Sequence, residues 1–150
     1  MVLHSGFASP IIWTFLLLST NNHQIMTHTI LVVENEPFVL EALKEILAAV
    51  GMESICVSNG EVGVEMYREH VEDVDLVVLD MNLPGMKGAE VYRVMKQINP
   101  EVKVIVSSGY DEAEVERRFG DVGGVGDVSI LKKPFNVQMF LEQINSALAD

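Results

Sequence analysis

The chain has 150 residues, of which 49% are apolar, so it suits one domain of common size and is too apolar for a disordered chain. Its formal net charge at pH 7 is −12, and it contains no run of Lys and Arg. A nucleic-acid-binding surface is therefore not expected, because phosphate backbones demand a basic patch.

The first 26 residues differ from the rest, since every Asp, Glu, Lys and Arg lies beyond Met26. Their apolar run, residues 11–18, is much shorter than the roughly 20 residues of a membrane-spanning helix. A signal peptide would need a basic start, which is missing. We therefore expect residues 1–28 to be an uncharged tail, disordered or not native, and residues 29–150 to form the folded domain. A segment that touches a membrane or docks on a partner is the alternative.

Beyond the tail, five strand patterns alternate with five helix patterns. The strand patterns, most of them rich in Val and Ile, are residues 29–34, 53–57, 75–80, 102–107 and 128–131. The helix patterns are residues 38–50, 60–72, 88–98, 111–119 and 135–148. Apolar strands without polar alternation are typical of parallel strands covered on both faces. The alternation therefore predicts an α/β fold, a doubly wound parallel sheet with helices on both faces.

Two boundaries of the first helix are marked by the residues that stand there. Pro37 suits the first helical position, where its missing N–H is not needed, and Gly51 suits a left-handed residue after the helix end. The fourth helix pattern is short and strongly charged with few apolar positions. We expect it to be the least firmly held of the five.

Polar side chains stand where four of the predicted strands end. They are Glu34 and Asn35, Asp80, Ser107 and Ser108, and Lys132 and Lys133. Ligands of doubly wound sheets bind at the carboxyl ends of the strands, so the three segments at Glu34, Asp80 and Ser107–Ser108 should converge on one pocket. A nucleophilic carboxylate, an acidic cation site and an ammonium are what the transfer of a phosphoryl group onto an aspartate requires.

Four motifs, in this order, resemble the response-regulator receiver domains of two-component signalling. They are residues 33–37, 79–88, 106–110 and 133–135, and the resemblance covers about residues 29–148. It implies a flavodoxin-like sheet with strand order 2-1-3-4-5 and a cytoplasmic location. It also implies a cis peptide bond before Pro134, which is common in the family.

The resemblance assigns three roles in phosphoryl transfer. Asp80 is implied to be the phosphoacceptor, Lys133 the lysine that pairs with the phosphoryl group, and Ser108 the switch hydroxyl. Lys132 competes with Lys133, and Ser107 competes with Ser108. The position three residues before the lysine usually holds an aromatic side chain in the family; here it is Ile130, so a ring cannot flip there.

Mg²⁺ is the cofactor that the resemblance implies. Its ligands would be Glu34, Asn35, Asp80 and the backbone carbonyl of Asn82. Magnesium takes hard oxygen ligands, often one or two carboxylates. The family usually has two adjacent acids at the first position, whereas Asn35 is neutral, so we expect weaker Mg²⁺ binding.

The implied function is a phosphoacceptor rather than an enzyme, with at most self-catalysed phosphorylation and dephosphorylation. The phosphodonor would be a histidine kinase or a histidine phosphotransfer protein. Phosphate on Asp80 would change the surface formed by the fourth helix, fifth strand and fifth helix, which would contact a downstream target that is not assigned. A dimer that forms on phosphorylation is also possible in this family. Neither a nucleic-acid partner nor a membrane span is expected.

Two other functions remain open. A pseudo-receiver would be a binding module that no longer takes phosphate, and Asn35 is the feature that favours it. An aspartate-nucleophile phosphohydrolase would need a second Asp two residues after Asp80 as general acid, but Asn82 stands there. Phosphorylation by acetyl phosphate with and without Mg²⁺ separates the three.

Overall fold

The computed structural model describes residues 27–120 and 128–149. Of the predicted tail, all but Thr27 and His28 lies outside the described residues. The strands are β1 (Thr29–Val33), β2 (Glu53–Val57), β3 (Leu76–Asp80), β4 (Val104–Ser108) and β5 (Ser129–Lys132). The helices are α1 (Pro37–Ala49), α2 (Gly60–Glu69), α3 (Gly88–Ile98), α4 (Glu112–Gly120) and α5 (Val137–Ala149).

The strands form a five-stranded sheet in the order β2-β1-β3-β4-β5, and every neighbouring pair is parallel. This confirms the predicted fold class and strand order. All the carboxyl ends therefore meet at one edge, where α1, α2, α3, α4 and α5 begin. The centre of the sheet is fully buried: β3 and β4 have no exposed residue, as the apolar strand patterns predicted.

Helices cover both faces of the sheet. One face packs against α2, α3 and α4, with Tyr67, Met95 and Phe119 among the largest buried side chains. The other face packs against α1 and α5, with Leu47 and Phe140 among its buried contacts. Alternate residues of each strand serve the two faces, since side chains point up and down in turn.

The predicted helix boundaries differ from the structure mainly at capping residues. The fourth and fifth helices begin one and two residues later than predicted, at Glu112 and Val137. Asp111 Oδ1 accepts a hydrogen bond from Glu114 N (2.8 Å), and Asn136 Oδ1 accepts one from Met139 N (2.8 Å). Both residues cap the helices from outside.

The first helix has the boundaries that its sequence signals indicate. Pro37 is its first residue, and Gly51 follows its end with φ of 80°, in the left-handed region. The second helix ends at Glu69, three residues earlier than predicted. The chain turns there, since His70 O accepts hydrogen bonds from Asp73 N and Val74 N. Within residues 27–120 and 128–149, no helix is long and apolar enough to cross a membrane.

Candidate functional site

Three charged side chains from three elements meet at the carboxyl edge of the sheet. Glu34 follows β1 and Asp80 ends β3, and they are only 2% and 3% exposed. Lys133, which follows β5, places its Nζ 3.1 Å from Glu34 Oε1 and 3.4 Å from Asp80 Oδ1. Glu34 and Asp80, two of the residues predicted to converge, therefore share one ammonium.

Backbone amides fix both carboxylates. Glu36 N donates to Glu34 Oε2 (3.0 Å), and Asn82 N donates to Asp80 Oδ1 (3.0 Å). Each donor lies two residues after its acceptor, in the loop that leaves the strand. The two carboxylates are thus held by the chain that follows them and by one shared ammonium.

The electrostatics of the cluster are dominated by two carboxylates and one ammonium. Burial raises the pKa of Glu34, and the negative charge of Asp80 raises it further. Burial alone would lower the pKa of Lys133, but the charge of Asp80 and the hydrogen bond to Glu34 outweigh it, so the pKa of the ammonium is raised. The two carboxylates therefore favour the charged form of Lys133.

The structure distinguishes the two lysines that precede Pro134 by their contacts. Lys132 is exposed and its Nζ donates to Gly109 O (2.9 Å), away from the carboxylates. Lys133 is the one whose ammonium contacts Glu34 and Asp80. The Lys133–Pro134 peptide bond is cis, as the resemblance implies.

The two serines that end β4 are both buried. Ser107 is the register partner of Asp80, and Ser108 is the partner of Lys132. Ser108 Oγ accepts a hydrogen bond from Tyr110 N (2.9 Å), and Ser108 O accepts one from Lys133 N (2.7 Å). Neither serine hydroxyl bonds to Asp80 within the part of the chain that the structure describes, so the choice between them stays a prediction.

The remaining predicted ligands, Asn35 and Asn82, are exposed residues of the loops after β1 and β3. Across residues 27–120 and 128–149, no cluster of three or more His, Cys, Asp or Glu could hold a metal. Glu34 and Asp80 are the two buried carboxylates at this edge. That donor set suits Mg²⁺, which commonly takes one or two carboxylates and completes its shell with water and phosphate oxygens.

An apolar groove of about 690 Å³ adjoins the site. It lies between α1 and the chain that joins β5 to α5, and its lining includes Lys133, Pro134 and Phe135. Phe38, at its α1 side, is 92% exposed. Apolar surface therefore lies directly beside the charged cluster.

Two contacts near the site were missed by sequence reasoning. Glu61 Oε1, in α2, accepts a hydrogen bond from Met86 N (3.0 Å) in the loop after Asp80. The guanidinium of Arg118 lies 4.3 Å from the centre of the Tyr110 ring. Neither pair carries a local signal, because its partners come together only through the fold.

The chain matches the family model described as response regulator receiver domain over residues 30–145. It belongs to this family. This receiver domain is 32% identical over 124 residues to the chemotaxis protein CheY of Bacillus subtilis, a match that covers 82% of this chain and 99% of that protein. The family is one of signalling domains.

Two further proteins are similar to this receiver domain. It is 34% identical over 120 residues to a cyclic di-GMP phosphodiesterase of Thermotoga maritima, covering 80% of this chain but 31% of that longer protein. It also superposes on the crystal structure of a response regulator receiver domain protein from Clostridium thermocellum with a TM-score of 0.72 and 27% identity. That match covers 81% of this chain and 94% of the other.

Proposed function

We propose that this receiver domain accepts a phosphoryl group on Asp80, in a Mg²⁺-dependent transfer from the phosphohistidine of a histidine kinase or histidine phosphotransfer protein in the cytoplasm. Phosphorylation then shifts the surface formed by α4, β5 and α5. The observation that carries the proposal is a buried carboxylate at a strand end, with Asp80 Oδ1 3.4 Å from Lys133 Nζ.

The reacting atom is a carboxylate oxygen of Asp80. Oδ1 is engaged by Asn82 N and Lys133, whereas Oδ2 accepts no hydrogen bond from the described residues. Oδ2 attacks phosphorus, the phosphorus–nitrogen bond of the donor breaks, and the imidazole nitrogen leaves with the electron pair. The product is an acyl phosphate on Asp80, a known outcome of carboxylate nucleophiles.

Lys133 supplies positive charge where the transferring oxygens gather negative charge. Preorganised cations in such positions stabilise phosphoryl-transfer transition states. Glu34 keeps the ammonium beside Asp80 before any phosphoryl group arrives, through the 3.1 Å hydrogen bond to Oε1. The lysine is therefore oriented before the reaction begins.

The residues at this edge fit a magnesium ion. Glu34, Asp80 and the backbone carbonyl of Asn82 would hold it, with the side-chain oxygen of Asn35 as the neutral fourth ligand. The two buried carboxylates beside a single ammonium support this assignment. When bound, Mg²⁺ neutralises charge on the phosphoryl oxygens.

Ser108 links the phosphoryl group to the switch surface. Its Oγ already accepts a hydrogen bond from Tyr110 N, so its own hydroxyl hydrogen remains to be donated to a phosphoryl oxygen. Moving Ser108 toward Asp80 would pull on Tyr110 and the start of α4. Because α4 begins two residues after Tyr110 and is short and strongly charged, it is the element expected to respond.

Labelling with radioactive acetyl phosphate, with and without Mg²⁺, tests the proposal. The wild-type protein should be labelled only with Mg²⁺, and Asp80→Asn should abolish labelling while the melting curve stays cooperative. Asp73→Asn is the matched control, because Asp73 is an exposed carboxylate of the turn before β3. Wild-type labelling of Asp80→Asn would refute the assignment.

A pseudo-receiver is the second candidate, and Asn35 is the observation that favours it, because a neutral residue stands where the family usually has an acid. In that case the folded wild-type protein would show no labelling at any Mg²⁺ concentration. Labelling that is weak at low Mg²⁺ and recovers at high Mg²⁺ would instead support a receiver with reduced metal affinity.

A further inference from the structure

The turn that follows Asp80 is held from outside by one side chain of α2. Glu61 Oε1 accepts a hydrogen bond from Met86 N at 3.0 Å, although 25 residues separate the two. At its start the turn is also tied to β4, because Met81 N donates to Ser107 O (2.9 Å). The other hydrogen bonds found for this turn among the described residues are internal. They are Asn82 N to Asp80 Oδ1, Lys87 Nζ to Leu83 O, and Gly88 N to Met81 O.

The contact is not a by-product of capping α2. Asn59 is the N-cap residue, and its Oδ1 accepts a hydrogen bond from Val62 N (2.8 Å). Glu61 stands in the first turn, where an acidic side chain gains a modest interaction with the helix dipole without any partner. Its carboxylate nonetheless reaches the neighbouring loop and satisfies a backbone amide there.

Two glycines let the turn and the start of α2 approach this closely. A Cβ on Gly85, whose φ is +70°, would lie 2.8 Å from Glu61 Oε1. A Cβ on Gly60 would lie 2.8 Å from Met86 O. The close approach on both sides fixes where the turn can sit relative to α2.

Asn82 lies in this turn, so a shift of the turn would also move its carbonyl. Asn82 is exposed, and the bond from its own amide to Asp80 Oδ1 fixes only the start of the turn. We propose that Glu61 is a positioning residue for the metal site, which holds the far end of the turn through Met86 and thereby keeps the Asn82 carbonyl at the carboxyl edge. This inference rests on the proposed role of Asn82 as a Mg²⁺ ligand.

Two measurements on the full chain test the role of Glu61, namely calorimetric Mg²⁺ titration and amide exchange at Met86 in the metal-free protein. Glu61→Ala should weaken Mg²⁺ binding about 10-fold, as loss of outer-shell partners commonly does. It should also speed exchange at Met86 by about 10-fold, because the amide loses its acceptor. Glu61→Gln keeps an acceptor oxygen and should stay within about twofold of wild type in both measurements.

Glu65→Ala is the matched control for lost charge, since Glu65 is an exposed acid on the same helix. It should leave both measurements unchanged. Asp80→Asn separates this inference from the proposed function: if it binds Mg²⁺ as tightly as wild type, the proposed metal site is wrong and the role of Glu61 falls with it. If Asp80→Asn loses binding while Glu61→Ala keeps it, only the inference is overturned. A Glu61→Gln protein as impaired as Glu61→Ala would also overturn it, because charge and not the hydrogen bond would then matter.

Discussion

Lys133 lies closer to Glu34 than to Asp80, at 3.1 Å against 3.4 Å, so one ammonium joins carboxylates from two strands. The side chains of Glu34 and Asp80 are only 3% and 4% exposed in these pairs, and that of Lys133 is 26% exposed. Removing one member of a buried ionic group leaves the others without compensation. Lys133 is therefore the shared charge partner of both carboxylates in the unphosphorylated protein.

Replacing that ammonium should slow phosphorylation. Lys133→Ala should lower the rate of acetyl-phosphate labelling by at least about 10-fold, a loss of roughly 1.4 kcal/mol of transition-state stabilisation. Lys132→Ala is the control, because the Lys132 ammonium donates to Gly109 O and not to the carboxylates. Equal losses in the two variants would show that Lys133 has no special role.

Restoring an acid beside Glu34 should strengthen metal binding. We expect Asn35→Asp to tighten Mg²⁺ binding about 10-fold in a calorimetric titration, since hard cations respond to the charge of their ligands. Gln97→Glu adds the same charge on an exposed position of α3 and should change little. Unchanged or weaker binding in Asn35→Asp would argue that residue 35 does not face the metal.

The two serines of β4 can be separated by paired variants. Ser108→Ala should still be labelled by acetyl phosphate, but the amide shifts that beryllofluoride induces in α4 and β5 should shrink, because the hydroxyl no longer couples Asp80 to Tyr110. Ser107→Ala should keep those shifts. NMR spectra with and without beryllofluoride decide, and the reverse pattern would move the switch to Ser107.

Residues 1–26 should contribute little to the stability of the domain, because they contain no Asp, Glu, Lys or Arg and precede β1. A protein that begins at Met26 should have a melting temperature within a few degrees of that of the full chain in circular dichroism scans. It should also be labelled by acetyl phosphate to the same extent. For a domain of this size a change of 1 kcal/mol shifts the melting temperature by roughly 2 to 8 °C. A larger drop would show that the first residues stabilise the fold.

The sequence predicted the fold and the members of the charged cluster, because strand ends are local features. A run of apolar residues that stops at Asp80 is visible in the chain, and parallel strands bring such ends to one edge. What the sequence could not predict are pairings set by packing. Glu61 meets Met86 across 25 residues and Lys133 meets Glu34 across 99, and neither distance follows from a pattern. The assigned roles of these residues stay predictions until labelling and metal titrations are done.

Helix starts were less predictable for a different reason. Asp111 and Asn136 belong to the helical patterns by spacing, but their side chains accept bonds from amides three residues ahead, which places them outside α4 and α5. A short polar side chain can hydrogen-bond nearby backbone amides in place of the helical hydrogen bonds, and the surrounding chain decides which arrangement forms.

Glu34 and Asp80 each accept one hydrogen bond from a backbone amide, that of Glu36 and that of Asn82 respectively. The side chains at positions 36 and 82 can therefore change without removing these hydrogen bonds, so residues there can adapt to different partners. Proline is the exception, because it would delete the donor itself. An insertion or deletion between each carboxylate and its amide would also break the hydrogen bond. We therefore expect the lengths of these two segments to vary less among relatives than their residues do.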